Sequence, residues 1–324
     1  MKSEPMNSSQ SPGMDSTDNH TPLLPNFLIA GAAKSGTTAL YYQLKGHPEI
    51  YLSPVKEPCF FSGCVLELPQ PGIDDHKKFY VKSYQEYCKL FEGAAGKKAI
   101  GEASADTIYF HDKTIPLVKE FLGDPKIIIM LRNPVDRAYS AYLHLVRDDR
   151  EYLSFEEALK EEEKRIGLDW QCMWHYKTRG MYYNQVKAFK ENFSRVAVFL
   201  YDDFKSDSPG VIRQVCEFLE VDTAYQPENT GSQYNVSGVP RFKSLNRMFL
   251  MKNVWQRTIR NIGRRLLTED GWVKFRDGVR KKLVVKTAMK PETRVYLQNE
   301  FREDILKLRD LLGRDLSAWL PEAF

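Results

Sequence analysis

The chain has 324 residues, of which 42% are hydrophobic and 28% are charged. This apolar fraction excludes intrinsic disorder for most of the chain, and 19 glycines and 17 prolines exclude collagen-like and low-complexity sequences. The formal charge is +4, which is too weak to indicate a nucleic-acid partner. The length suits either two domains or one large α/β domain.

The polar N-terminus, residues 1–22, lacks a basic region followed by an apolar run. It therefore predicts a disordered tail and not a secretory signal. No run of about 18 apolar residues is present, so the sequence predicts no membrane-spanning helix. The five cysteines lack zinc-site spacing and are expected to be free thiols in a reducing compartment, which predicts a cytoplasmic location.

Short, continuously apolar runs alternate with helical patterns along the chain. Such runs are typical of parallel strands that are covered on both faces. The predicted strands are Asn26–Gly31, Lys98–Glu102, Lys126–Leu131 and Arg195–Tyr201, with Ile50–Leu52 as a candidate for a further short strand. The predicted helices are Thr37–Lys45, Val135–Arg147, Ser154–Ile166 and Tyr182–Asn192. The alternation predicts a doubly wound, mostly parallel central sheet flanked by helices, with ligands bound beyond the carboxyl ends of the strands.

We expect one domain over residues 23–324, with two distinct parts near its C-terminus. Apolar periodicity over Pro291–Leu320 predicts a helix, placed at 291–312, that packs back on the sheet. The basic helical segment 241–286 carries a net charge of +11, which leaves −7 for the rest of the chain. Within it, 241–267 mixes basic and apolar residues at helical spacing. That pattern suits peripheral contact with an acidic membrane, a cover over an apolar acceptor, contact with an anionic glycan, or a solvated helix.

The most informative local feature is a strand–loop–helix pattern at Gly31–Leu40, GAAKSGTTAL. Small residues after a buried strand let the backbone approach a ligand, and the following helix N-terminus offers N–H groups to an anion. Lys34 adds a positive charge, and Thr37 and Thr38 add hydroxyl groups. The loop is P-loop-like but not a Walker A motif, because the lysine precedes Gly36 where that motif has it after the glycine. The alternative is a helix cap with an incidental lysine.

A second motif follows the predicted strand Lys126–Leu131. The next residue is Arg132, at a position where NTPases usually carry an aspartate that helps to hold Mg²⁺. An arginine fork together with the hydroxyl of Ser140 could hold one phosphate group without a metal. Taken alone, Arg132 could instead form a structural ion pair, and Ser140 could be a packing residue.

Together, these motifs resemble the sulfotransferases that use 3′-phosphoadenosine 5′-phosphosulfate (PAPS), in their bacterial and heparan-sulfate-type branch. AAKSGTTAL resembles the family's 5′-phosphosulfate loop, and RNPVDRAYSAY resembles its 3′-phosphate motif. The similarity continues in HPEIYLSPVKEPCFF, GEAS, RGMYYNQVKAFKENF, NVSGVPR and LLGRDLSAWL, so that it covers most of residues 25–320.

The resemblance implies in-line transfer of a sulfuryl group from PAPS to an acceptor hydroxyl of a sugar, lipid or small metabolite, without a required metal and with PAP as product. It implies that Glu57 is the general base, that Tyr182 or Tyr183 lines the nucleotide pocket, and that Arg241 belongs to a late loop that closes over the cofactor. The implied cofactor-binding residues are Lys34, Ser35, Gly36, Thr37 and Thr38 for the 5′-phosphosulfate, and Arg132 and Ser140 for the 3′-phosphate. A polyanionic cofactor also gives the basic segment 241–286 a role in electrostatic steering.

The sequence departs from some glycan sulfotransferases on the acceptor side. It has Cys59 where they have a histidine, and Ala103 where they have a lysine. These departures leave the acceptor open. Glu102 is the second candidate for the base, and Glu57 could alternatively form a salt bridge with neighbouring Lys56 or be an ordinary loop acid.

Three further alternatives stay open at this point. His47 or His144 could act as the base in a different arrangement. The chain could be a P-loop kinase or NTPase, although the position of its lysine argues against this. It could also be a non-catalytic module that binds an anion or a membrane. No oligomeric state is predicted.

Overall fold

The computed structural model describes residues 22–67, 70–72, 81–227 and 288–321, together with the backbone of 239–240 and 284–285. The predicted N-terminal tail up to residue 21, nearly all of the basic segment 241–286 and Arg241 lie outside the described residues.

Five parallel strands form the central sheet in the order β2-β3-β1-β4-β5. The strands are β1 (Phe27–Gly31), β2 (Ile50–Leu52), β3 (Ala99–Ala103), β4 (Lys126–Leu131) and β5 (Val196–Leu200). The chain leaves β1 toward β2 and β3 on one side and later returns to β4 and β5 on the other. β1 is thus the switch point, and the crevice beyond its carboxyl end is the expected ligand site in such a sheet. The predicted fold class is confirmed.

Both faces of the sheet are buried, as the apolar runs predict. In β1, Leu28 and Ala30 belong to a core that includes Val135, whereas Phe27 and Ile29 belong to a second core on the opposite face. Successive side chains of a strand point to opposite faces, so each strand contributes to both cores.

Helices surround the sheet. They are α1 (Thr37–Leu44), α2 (Phe60–Val65), α3 (Tyr84–Lys89), α4 (His111–Leu122), α5 (Pro134–Arg147), α6 (Phe155–Lys160), α7 (Glu162–Gly167), α8 (Tyr182–Asn192), α9 (Tyr201–Ser206), α10 (Ser208–Leu219) and α11 (Pro291–Leu312). Short 3₁₀ turns lie at Glu92–Ala94, Cys172–Trp174, Thr178–Gly180 and Ser317–Trp319. Two further short strands, β6 (Val239–Pro240) and β7 (Val284–Val285), pair antiparallel. Among the described helices, none has the length and apolarity needed to cross a bilayer.

The C-terminal helix matches its predicted bounds. Helix α11 ends at Leu312 because Gly313 adopts a left-handed conformation with φ 59°, and the helix packs on α8 and α5.

The single helix predicted over Ser154–Ile166 is wrong, because the chain forms α6 and α7 with a break at Glu161. Ser154 caps α6 through a capping box with Glu157. The next helix directs the buried Glu162 carboxylate inward. There it accepts hydrogen bonds from the Lys177 and Thr178 amides at 2.7 and 2.8 Å. This tertiary contact replaces the continuous helix that the local pattern favours.

Candidate active site

The loop between β1 and α1 forms a concave backbone surface at the carboxyl edge of the sheet. The Ala32 amide donates to the Met130 carbonyl of β4 at 2.7 Å, and the Ser35 amide donates to the Ala32 carbonyl at 3.2 Å. Gly36 precedes α1 with φ 94°, and its position supplies no side-chain cap. The N–H groups at the start of α1 are therefore placed to bind an anion.

Two glycines of this loop occupy positions that exclude a side chain. A Cβ on Gly36 would lie 2.8 Å from the Tyr201 ring, and one on Gly31 would lie 2.3 Å from Cγ2 of Ile108 and 3.0 Å from the Ala105 carbonyl. Both have positive φ, 94° and 151°. Glycine is therefore required at both positions by the backbone conformation of the loop and by its close packing against Tyr201 and Ile108.

We expect Gly36→Ala to lower the free energy of unfolding by about 1–3 kcal/mol, because alanine is strained at this φ and clashes with the Tyr201 ring. Thermal denaturation measures the loss. Gly96→Ala is the matched control, since Gly96 has φ 78° but no atom within 4 Å of an added Cβ. An equal loss in both variants would mean that backbone strain alone acts and that the contact with Tyr201 contributes nothing.

Lys34 and Arg132 meet at this edge, as predicted. Arg132 follows β4, lies over the Tyr201 ring at 4.9 Å, and directs its Nη1 toward the Lys34 carbonyl at 3.4 Å. Burial lowers the pKa of Lys34 to about 8, and repulsion by Arg147, Arg132 and Lys56 acts in the same direction. This concentration of positive charge, in a half-buried position, is suited to a multiply charged anion.

Three buried polar groups lie close together at the loop: Oγ of Ser35, Nε of Arg137 and the hydroxyl of Tyr182. The Ser35 and Tyr182 hydroxyls interact with each other, and Tyr182 also interacts with Arg137 and Arg132. Burial lowers the pKa of Arg137 to about 10. Nε of Arg137 has no hydrogen-bond partner in the described part of the chain, and a buried group of this kind is usually satisfied by a bound water or ligand. The Tyr182 amide itself is occupied, since it donates to Asp304 at 2.7 Å.

Three further predicted cofactor residues lie on the helices that follow Lys34 and Arg132. Thr37 and Thr38 form the first turn of α1, and Ser140 is buried on α5, the helix that follows Arg132. The predicted Arg241 lies outside the described residues.

Glu57 follows β2 and is held against the end of β3. Its amide donates to the Ala103 carbonyl at 2.9 Å, its Oε2 accepts from the Ala105 amide at 2.7 Å, and its Oε1 pairs with Lys56. The side chain keeps 36% of its surface exposed. Because β3 is the neighbour of β1, this carboxylate is held beside the end of the strand next to the phosphate loop, and it stays open to a substrate.

The geometry agrees with comparisons to known proteins. A family model described as the sulfotransferase family matches residues 25–225. The chain belongs to the sulfotransferase family. This confirms the predicted resemblance and favours it over the kinase alternative.

Relatives of this chain come from animals and bacteria. Carbohydrate sulfotransferase 15 of Mus musculus is 32% identical over 192 residues, which cover 50% of this chain and 34% of that protein. Bifunctional heparan sulfate N-deacetylase/N-sulfotransferase 4 of Mus musculus is 25% identical over 325 residues, covering 92% of this chain and 31% of that protein. The chain spans about a third of the length of these curated relatives. The crystal structure of a sulfotransferase from Alicyclobacillus acidocaldarius is 34% identical, with a TM-score of 0.71, covering 92% of this chain and 99% of that one.

Two more carboxyl groups lie near Glu57. Glu102 is buried in β3, accepts a hydrogen bond from Ser104 Oγ at 2.7 Å, and has its pKa raised by burial to about 8. Asp106, which sequence reasoning missed, is also buried and accepts from Ser62 at 2.8 Å. Burial first, and then the charge of Glu57, raise its pKa. Of the three acids, Glu57 alone presents an exposed carboxylate to a substrate.

Arg179 and His175 also lie on this side and were not assigned by sequence reasoning. Arg179 is buried over the Tyr109 ring at 5.5 Å, with Nη2 directed toward the Ala105 carbonyl at 3.4 Å. It interacts electrostatically with Asp106 and with Glu57. His175 Nδ1 lies 2.8 Å from the Tyr109 hydroxyl, and burial lowers its pKa to about 4. The RGMYYNQ motif was the available signal, but a lone arginine in a turn has no chemical signature.

The alternative histidine bases fit poorly. One ring nitrogen of His47 lies 2.8 Å from the Asp222 carbonyl, and the other accepts from the Glu49 amide at 3.0 Å. Both nitrogens are therefore engaged in the backbone. In His144, burial and then the charge of Lys34 lower the pKa to about 3, which makes it a poor proton acceptor.

Proposed function

We propose that this protein transfers a sulfuryl group from PAPS to a hydroxyl group of a carbohydrate acceptor. The proposal depends on one arrangement: a phosphate loop carrying Lys34, with Arg132 beside it and the fixed carboxylate of Glu57 on the neighbouring strand edge. Cationic groups and a base are thus brought to one crevice. That is what a displacement between an anionic donor and a hydroxyl acceptor requires.

The residues present fit an anionic cofactor. Gly31 and Gly36 leave no side chain on the loop backbone, α1 has no side-chain cap at Gly36, and Nε of the buried Arg137 has no hydrogen-bond partner in the described residues. In this proposal the 5′-phosphosulfate binds Lys34, Ser35, Gly36, Thr37 and Thr38, and the 3′-phosphate binds Arg132 and Ser140. Tyr182 in the nucleotide pocket and Arg241 in the closing loop complete the proposed set.

The reaction follows from the placement of these groups. Bound PAPS supplies an activated sulfuryl group whose leaving group is PAP. Glu57 accepts the proton of the acceptor hydroxyl, while its hydrogen bond from the Ala105 amide fixes the carboxylate. Lys34 and the amides of α1 stabilise negative charge at the phosphate end. Because Lys34 and Arg132 provide this positive charge, we propose that transfer requires no metal.

The acceptor class is supported by the names of the relatives, which are a carbohydrate sulfotransferase and a heparan sulfate N-sulfotransferase. Lipid and small-metabolite hydroxyls are the alternatives, and 241–267 is proposed as a region of peripheral membrane contact. We also propose a cytoplasmic location, supported by five cysteines that are all unpaired. Labelled PAPS with separate sugar, lipid and metabolite acceptors distinguishes the classes.

Thermal denaturation with ligands tests the cofactor. We expect PAP at about 100 times its Kd to add about 2.7 kcal/mol to the free energy of unfolding, equally with Mg²⁺ and with a chelator. ATP with Mg²⁺ is the control. Stabilisation by ATP that depends on Mg²⁺ would instead support the kinase alternative, and the absence of any effect from either ligand would support a non-catalytic module.

A further inference from the structure

Three side chains with metal-binding atoms converge on the acceptor side of the site. A carboxylate oxygen of Glu57, Sγ of Cys59 and a carboxylate oxygen of Asp106 all lie within 4.8 Å of one another. Zinc bonds of about 2.0–2.3 Å place the ligand atoms of a tetrahedral site roughly 3.6 Å apart. The three atoms therefore lie close to the spacing that one shared ion requires.

An independent observation points to a ligand at this place. Asp106 is 9% exposed, and only one of its carboxylate oxygens has a partner, the hydroxyl of Ser62. The other oxygen, Oδ1, is buried and without a hydrogen bond in the described part of the chain. A buried acceptor without a partner is costly, and a bound cation would satisfy it. Glu57, with 36% of its side chain exposed, forms the open side through which an ion enters.

We propose that Zn²⁺ binds Glu57, Cys59 and Asp106 and thereby inhibits the enzyme, because the ion occupies the carboxylate that the proposed function uses as base. The proposal rests on the proposed function only for its inhibitory effect, not for metal binding. A thiolate ligand selects zinc over magnesium or calcium, which prefer oxygen. Three protein ligands leave a fourth position for water.

The binding step balances in protons and charge. The Cys59 thiol loses its proton to solvent as the sulfur–zinc bond forms. The three ligands then carry three negative charges. Lys56, which pairs with Glu57, and Arg179, which faces Asp106 and Glu57, oppose the ion. Burial and the charges of Asp106 and Glu57 raise the pKa of the Cys59 thiol, so the ion must displace a tightly held proton. The remaining negative charge attracts the cation, and the two nearby cations limit its affinity.

Cobalt reports the site without any activity assay, because a thiolate–Co²⁺ bond gives a charge-transfer band in the near ultraviolet. We expect the full chain to bind one Co²⁺ with this band, and Zn²⁺ to displace it. Cys59→Ser removes the band, whereas Cys64→Ser, which deletes an exposed thiol, keeps it. Asp106→Asn keeps the thiol, and we expect it to weaken Zn²⁺ binding at least about 10-fold. Loss of a residue that only hydrogen-bonds to a metal ligand already has an effect of that size.

Transfer activity is measured in parallel with and without Zn²⁺. We expect Zn²⁺ to inhibit the wild type and Cys64→Ser, and not Cys59→Ser. A Co²⁺ band in folded Cys59→Ser, or no band in the wild type, overturns the metal site. If the band appears as expected but the metal-free wild type transfers no sulfuryl group, the proposed function fails and the metal site stands. Thermal denaturation verifies that each variant folds.

Discussion

We expect Glu57→Gln to lower kcat for sulfuryl transfer by about 10²–10⁴-fold while PAP binding is unchanged. Glutamine retains an oxygen that accepts the hydrogen bond from the Ala105 amide, so the loop keeps its conformation. It has no basic carboxylate to accept the proton of the acceptor hydroxyl. Transfer from labelled PAPS measures the first effect, and thermal denaturation with PAP measures the second.

Glu102→Gln is the matched control. Burial raises the pKa of Glu102 to about 8, so its carboxyl group is largely protonated at neutral pH, and glutamine resembles that neutral form. We expect this variant to stay within about 10-fold of wild-type activity, below the usual effect of losing a general base. A fully active Glu57→Gln together with an inactive Glu102→Gln would transfer the role of base to Glu102.

The sheet could be predicted because a strand that is buried on both faces requires a short, continuous run of apolar residues, which is visible in the local sequence. Each strand of the core is a short apolar run, and β1 sends Phe27 and Ile29 to one core and Leu28 and Ala30 to the other. The bounds of all four main strands agree with the predictions within one residue. Strand order, in contrast, depends on pairing between distant segments, which a single sequence does not contain.

Helices were predicted less completely, because tertiary contacts decide where several of them begin. The break between α6 and α7 follows from the buried Glu162 carboxylate and its bonds to Lys177 and Thr178. Helix α9 begins at Tyr201 directly after β5, where the ring packs against Gly36 and beneath Arg132. Neither contact has a signal in the neighbouring residues.

Some residues of the candidate site could likewise be predicted from the sequence, and others could not. Lys34 and Gly36 belong to one contiguous loop with a recognisable chemical pattern, so sequence reasoning could place them. Asp106 and Arg179 come from separate connections after β3 and before α8, and they meet Glu57 only in the folded chain. A single acid or arginine in a loop has no diagnostic spacing, so the acceptor side could not be assembled from the sequence.

Removing the charge of the phosphate loop is expected to have the other large effect. Lys34→Ala should weaken PAP binding by about 10–100-fold, the value of a hydrogen bond to a charged group, and lower kcat by about 10²–10³-fold. Lys34→Arg, which keeps the charge, is expected to retain most of the affinity. Equal losses in both variants would mean that the position requires the shape of lysine and not its charge.

The pH dependence of PAP binding identifies the same group. Because burial lowers the pKa of Lys34 to about 8, its charged form is lost as the pH rises through 8, and PAP affinity in the wild type should fall between about pH 7 and pH 9. The phosphates of PAP are already largely ionised at pH 7, since their last pKa is about 6, and their further ionisation would strengthen binding and not weaken it. Lys34→Arg and Lys34→Ala should both bind PAP independently of pH, the first tightly and the second weakly.

Glu102 also titrates near pH 8, so the pH dependence of PAP affinity seen in the wild type must persist in Glu102→Gln. A slope that survives in Lys34→Ala, or vanishes in Glu102→Gln, would assign the titration to another group and remove Lys34 from its proposed electrostatic role.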